Sequence, residues 1–184
     1  MKPAELAYVS SEISKIVERF DVSLKNFRIS EVAIEFDLFV KDADMKNQAE
    51  KALVTNFAPL LSERNLGEQT IARGKTATVE SAIELLNQQR YWECHEVLEE
   101  IWRKEKDPSE KSLQQGVILV ASALVHAQKN EDMVCLGMLS RSVKKLDAWE
   151  KQDYYGLNVG SLKQYIADTL ESGRISFPKM AASR

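Results

Sequence analysis

The chain has 184 residues, 44% of them hydrophobic and 29% charged, with a net charge of −3; this suits one ordinary domain, or one domain with a smaller companion, and argues against wholesale disorder. Lysines and arginines are scattered rather than clustered, so the electrostatic footprint of a nucleic-acid binder is missing. No apolar run is long enough for a membrane span, and Glu12, Lys15 and Glu18 interrupt the first apolar stripe, so no signal peptide and a cytoplasmic location are expected.

In chain order, Leu6, Val9, Ile13, Ile16 and Phe20 recur at three- and four-residue steps, which predicts an amphipathic helix. From Val32 to Val40 the period becomes two, the pattern of a half-buried strand. A lone strand leaves its backbone groups unpaired. Its partner is expected around Asn26, around Gln69–Ile71, or in a second copy of the chain. Asp42 or Asp44 is expected to cap a helix striped by Met45, Ala49, Ala52, Leu53 and Phe57, which Pro59 ends. Residues 1–71 therefore read as a small α+β unit.

The polar stretch from Asn65 to Lys75 reads as a linker, with Thr76 or Thr78 capping the next helix. Residues 76–173 then carry helical periods alone. Val79, Ile83 and Leu86 stripe the first helix; Tyr91 to Lys104 form the second, which Asp107-Pro108-Ser109 ends. Ser109 or Ser112 would cap the third, Ser112 to Lys129, whose stretch from Gly116 to Val125 is apolar almost all round, as in a helix packed on several sides. The fourth spans Glu131 to Glu150. A loop at Gly156-Leu157-Asn158 leads to a fifth helix, for which Gly173 is a C-cap, followed by an irregular arm after Arg174. Short loops imply antiparallel neighbours. The fold expected is mainly α: an antiparallel helical bundle with a small α+β N-terminal unit.

Chemistry concentrates in Tyr91-Trp92-Glu93-Cys94-His95-Glu96-Val97-Leu98-Glu99-Glu100-Ile101-Trp102-Arg103. On a helix His95 lies beside Glu99 on one side and Trp102 and Tyr91 on the other, each within about 40°. Arg103 is one helical step from Glu96 and Glu99. Trp92 lies to the side, either partly packed or an anchor for a partner. Gln115, Leu119, Ser122 and His126 share one face of the central helix, so His95, Glu99, Gln115 and His126 would converge if the two faces met. Cys94 and Cys135, the two cysteines, are expected reduced and buried. Adjacent Cys94 and His95 point about 100° apart, which suits a zinc site poorly.

The ordered set Ala82-Ile83-Glu84-Leu85-Leu86-Asn87, Arg90-Tyr91, His95-Glu96-x-x-Glu99-x-x-Trp102-Arg103, Leu113-x-Gln115-Gly116-Val117-Ile118 and Ala123-Leu124-x-His126 resembles the Domain of Unknown Function 309 family of small helical proteins, over about residues 79–171. The resemblance implies a compact helical bundle and no established activity. Two departures stand out: Gln89 and Lys129 occupy positions where the family often has glycine, so two residues that readily take positive φ are lost.

Three readings of the His95 region follow. In the first it is wiring: a buried imidazole paired with a carboxylate fixes helix register, with Tyr91, Trp102, Arg103 and Gly116 along the seam. In the second, His95, Glu99 and His126 hold a divalent metal such as zinc, manganese or iron. In the third, His95 is an acid–base group oriented by Glu99 or Glu96. The function that fits the first is a helical interaction or scaffold module, with self-association and an unspecified protein partner. The rival is a hydrolase-like enzyme, metal-dependent or acid–base, built on His95, Glu96 and Glu99.

Overall fold

The computed structural model describes residues 3–30, 33–63, 65 and 74–180. The chain divides into two compact units, Met1–Ile71 and Ala72–Arg184. The protein is mainly α, with seven α-helices and two small antiparallel hairpins among the described residues.

In the first unit, α1 (Pro3–Val17) and a 3-10 turn (Glu18–Phe20) precede strands β1 (Ser23–Ile29) and β2 (Ile34–Phe39), and α2 (Ala43–Asn56) follows. The strand partner is thus the Asn26 segment: β1 pairs antiparallel with β2, Leu24 opposite Leu38 and Ile29 opposite Ile34, with a register irregularity between Lys25 and Arg28. Val32 and the Gln69–Ile71 alternative lie outside the described residues. The hairpin buries Arg28, which donates to Glu35 Oε2 (3.2 Å) and Asp37 Oδ1 (3.1 Å). Asp42 is the cap of α2, accepting from Met45 N at 2.8 Å. Among the described residues the buried apolar ones of this unit are Ile13, Val17, Ile29, Ala49 and Ala52.

The second unit holds α3 (Lys75–Asn87), α4 (Tyr91–Trp102), α5 (Pro108–Gln128), α6 (Asp132–Leu146), a short hairpin of β3 (Asp153–Tyr154) and β4 (Leu157–Asn158), and α7 (Val159–Ser172). Each of α3 to α6 packs on the next helix in the chain, and α6 on α7. Two start signals differ from expectation. Gly74, not a threonine, precedes α3, and the Thr78 hydroxyl donates to the Gly74 carbonyl from inside the helix. Asp107, not a serine, caps α5: its Oδ1 accepts from Ser109 N and Glu110 N at 2.9 Å each, with Pro108 in the first turn. The β3–β4 hairpin was not expected. Tyr155 and Gly156 both take positive φ, 48° and 88°, which suits a two-residue hairpin turn.

The glycine departures resolve differently. Lys129 sits at φ −95°, so glycine is not needed there, and Asn130 takes the left-handed turn at φ 59°. Gln89 adopts φ 58° despite its side chain. Its carbonyl accepts from Gln128 Nε2 at 2.7 Å, which ties the α3–α4 turn to the end of α5.

α5 is the centre. Leu113, Val120, Ala121, Ala123 and Leu124 are fully buried on it. It runs antiparallel to α6, since Ser112 Oγ near its start donates to Lys145 O near the end of α6 at 3.0 Å. Gly116 makes that approach possible. A methyl group added there would lie 2.7 Å from Leu146 Cδ2 and 3.2 Å from Lys145 Cβ. Leu146 is itself fully buried and has little room to yield. Gly116→Ala is therefore expected to destabilise the protein by about 1–3 kcal/mol through overpacking. In a Leu146→Ala background the same change should cost markedly less. Urea unfolding of the four chains of that cycle measures the coupling.

Candidate functional site

α4 has two sides. Tyr91, Cys94 and Leu98 point into the core. Burial pushes the Cys94 thiol up to about 12, and Cys135 likewise, so both are poor nucleophiles at neutral pH. On the shoulder, the His95 side chain is 17% exposed, with Nδ1 3.3 Å from Glu96 Oε1 and Nε2 3.4 Å from Glu99 Oε1. Nδ1 is buried without an aligned hydrogen bond. The imidazole stacks on Trp92, centroids 5.3 Å apart and planes 25° apart. Arg103 completes the row by pairing with Glu99. The Trp102 ring lies under Lys111 Nζ at 5.4 Å, and Tyr91 meets Phe177.

The wider convergence does not form. His126 turns to Glu131 across the α5–α6 connection. Gln115 is half-buried on the same helix, eleven residues away and so about 16 Å along its axis. Among the described residues no group of three or more His, Cys, Asp or Glu side chains is placed to hold a metal ion. The set of His95, Glu99 and His126 read as metal ligands is therefore not assembled. A helical wheel finds which residues share a face but not how far along the axis they sit, and that is where the expectation failed.

The structure builds a different polar cluster at the other end of α4. Glu105, in the α4–α5 turn, has a side chain only 7% exposed. Its Oε2 accepts from Lys75 Nζ at 2.6 Å and from Gln114 Nε2 at 3.0 Å. Its Oε1 accepts the backbone N–H groups of Lys106 (2.9 Å) and Asp107 (3.0 Å). Lys75 also reaches Glu110 Oε2 at 2.6 Å. The Tyr154 hydroxyl donates to that same Glu110 oxygen at 2.9 Å and accepts from Gln114 Nε2 at 2.7 Å. The result is a closed ring through α3, the α4–α5 turn, α5 and β3. A cleft of about 350 Å³ opens beside it, with Lys75, Glu105, Lys104 and Lys106 among its walls.

Sequence reading missed this ring. Lys75 lay in the expected linker and Glu105 in a turn, while Gln114 was the unmarked position of the Leu113-x-Gln115-Gly116 element. The one signal available was the pair Gln114-Gln115 between Leu113 and Gly116 on a largely apolar helix, since a buried amide needs partners.

Chemically the ring holds groups in place. The Lys75 ammonium holds the Glu105 carboxyl down at about 2, helped by the Asp107, Gln114 and Lys106 donors against burial. Glu105 and Glu110 hold Lys75 protonated well above the ordinary range, and burial pushes the Tyr154 phenol up. A depressed carboxyl contributes stability that is present above its unfolded value and lost as pH falls through its folded one. Urea midpoints should therefore fall between about pH 4.5 and about pH 2. Lys75→Met should flatten that limb and cost about 1–3 kcal/mol at pH 7, because it strips a desolvated carboxylate of its partner.

Residues 79–137 match the model of a family described as "Domain of unknown function (DUF309)". A curated relative, "Uncharacterized protein YpuF" of Bacillus subtilis (strain 168), is 27% identical over 96 residues, covering 52% of this chain and 55% of the relative. The chain thus spans about half the length of the curated relative it matches. The family match contains α4 with His95, Glu99 and Trp102 and the whole of α5, and it leaves out residues 1–78. The helical region of this chain is similar to the domain of unknown function DUF309.

Proposed function

We propose that the protein is a cytoplasmic interaction module that works by self-association through its first unit. The observation that supports this reading is the distribution of apolar side chains there. Among the described residues five apolar ones are buried, two of them alanines, while Tyr8, Phe39, Val54, Phe57, Leu60 and Leu61 stand exposed, Leu61 at 72%. An interaction surface is the use such side chains would have if they gather into one patch. The β1–β2 hairpin adds an incentive. Each strand is paired on one side among the described residues, and a two-stranded hairpin alone is marginally stable.

The second unit supports the reading from the other direction. His95, the best candidate for a reacting group, faces a carboxylate of its own helix at each ring nitrogen and a tryptophan at its face. Glu99 is shared with Arg103. These groups hold the shoulder of α4 in one arrangement. No helix is long and apolar enough to cross a membrane among the described residues.

Multi-angle light scattering tests the proposal. The wild-type chain should show at least the mass of a dimer, and Leu61→Glu should shift it to the monomer with unchanged helical circular dichroism at low temperature. His95→Ala should lower stability and leave the mass alone. A wild-type chain that stays monomeric at every concentration would sink the proposal.

A further inference from the structure

We infer that the groove across the α3–α4 turn is a receptor for a peptide segment, filled in cis by residues 174–180 and able to take the same segment from a second copy of the chain. The arm begins after Gly173, which ends α7 in the left-handed region at φ 66°. Ile175 and Phe177 are then half-buried and Pro178 and Met180 buried, while Ser176 and Lys179 face outward. The groove reads this segment in two ways. The Asn87 side chain takes both peptide groups of Met180: Nδ2 donates to Met180 O at 2.8 Å, and Oδ1 accepts from Met180 N at 2.6 Å. This is the service a neighbouring strand gives an added peptide, supplied here by one amide. Side-chain selection comes from Tyr91, whose ring stacks on Phe177 with centroids 5.8 Å apart and planes 28° apart, and from the pocket that leaves Met180 only 5% exposed. The Tyr165 hydroxyl adds a bond to Ser176 O at 2.7 Å.

The groove therefore recognises a non-helical segment with an aromatic residue and a methionine three positions apart. The arm satisfies it with neutral contacts, and its lysine is outside. A segment held so, beyond a glycine that can redirect the chain, can leave as a unit. The same contacts made by a second copy need no new surface, which is the economy of exchanged elements.

The test uses full-length Phe177→Ala/Met180→Ala protein, whose own arm is weakened, and a fluorescent synthetic peptide of residues 174–180 as probe. The peptide should bind this variant at least about tenfold tighter than wild type, because an intramolecular competitor has been removed. Adding Asn87→Ala should lower that affinity about tenfold. Absence of binding to a variant that still melts cooperatively overturns the inference. Should the variant not fold, the wild-type chain decides with a photo-crosslinker in place of Lys179. Adducts between copies, rising with protein concentration and suppressed by the free peptide, support exchange; adducts within one copy alone at every concentration overturn it. Both measurements are repeated in the Leu61→Glu background, so that failure of association through the first unit and failure of the groove are read separately.

Discussion

The second unit depends on one constraint: α5 is apolar almost all round and must be covered on every side. Such a helix is stable only when other elements remove it from water. α4 and α6 pack directly on it, and Gly116 lets α6 come to contact distance. The same burial decides the polar wiring, because the few polar side chains of α5 lose water and must find partners. Ser112 takes the Lys145 carbonyl, Gln114 takes Glu105 and Tyr154, and Gln128 takes the Gln89 carbonyl. Each partner belongs to another element. The helix that makes the core thereby also sets where its neighbours are fastened.

This explains which parts were legible in the sequence. Periodicity marks the faces of an element, so the helices and a strand within 32–40 could be read from it, although β2 is half-buried throughout Ile34–Leu38 rather than alternately buried. Wheel arithmetic also finds partners on one helix, as with His95, Glu99 and Arg103. It fails where the contact depends on another element. Gln114 and Gln115 differ by 100° on a helix buried nearly all round, so pattern cannot say which amide is inside. Lys75 and Glu105 are 30 residues apart in turn-like sequence, and only the folded chain makes them neighbours. The β3–β4 hairpin is two residues a strand, too short for any period to register. Gln89 shows the reverse failure: a residue ill suited to positive φ is held there because its carbonyl serves Gln128.

The His95 row changes meaning in this setting. A histidine flanked by carboxylates on one helix looks like a reaction centre when seen as a string. In the fold its neighbours are mutually engaged, with Trp92 on the ring, Glu96 and Glu99 at its edges and Arg103 behind Glu99. Local pairs of this kind each add a fraction of a kcal/mol to a helix. They lie on the outer shoulder of α4, whose inner side carries Tyr91, Cys94 and Leu98 into the core. The first residue of α4, Tyr91, is also the wall against which Phe177 rests.

The two ends of the bundle are consequently fastened by different chemistry. Where α3 starts and α4 ends, the bonds are charged: Lys75 holds Glu105 and Glu110, with Gln114 and Tyr154 closing the ring. Removing one member strands a desolvated charge, so this end comes apart only at high cost. Where α3 ends and α4 starts, the bonds that Asn87, Gln89 and Gln128 make between elements are neutral amide contacts, joined by one aromatic stack, and the charged pair there, Arg90 with Glu93, is local to the start of α4. A neutral hydrogen bond nets about 1 kcal/mol, because water replaces it readily. Local opening follows the weaker fastening, so the arm end should open well before the helices separate. A bundle fastened between elements by charge at one end and by neutral contacts at the other can exchange a peptide without risking its core, because the Lys75 ring keeps α3, α5 and the α4–α5 turn together while the arm is away.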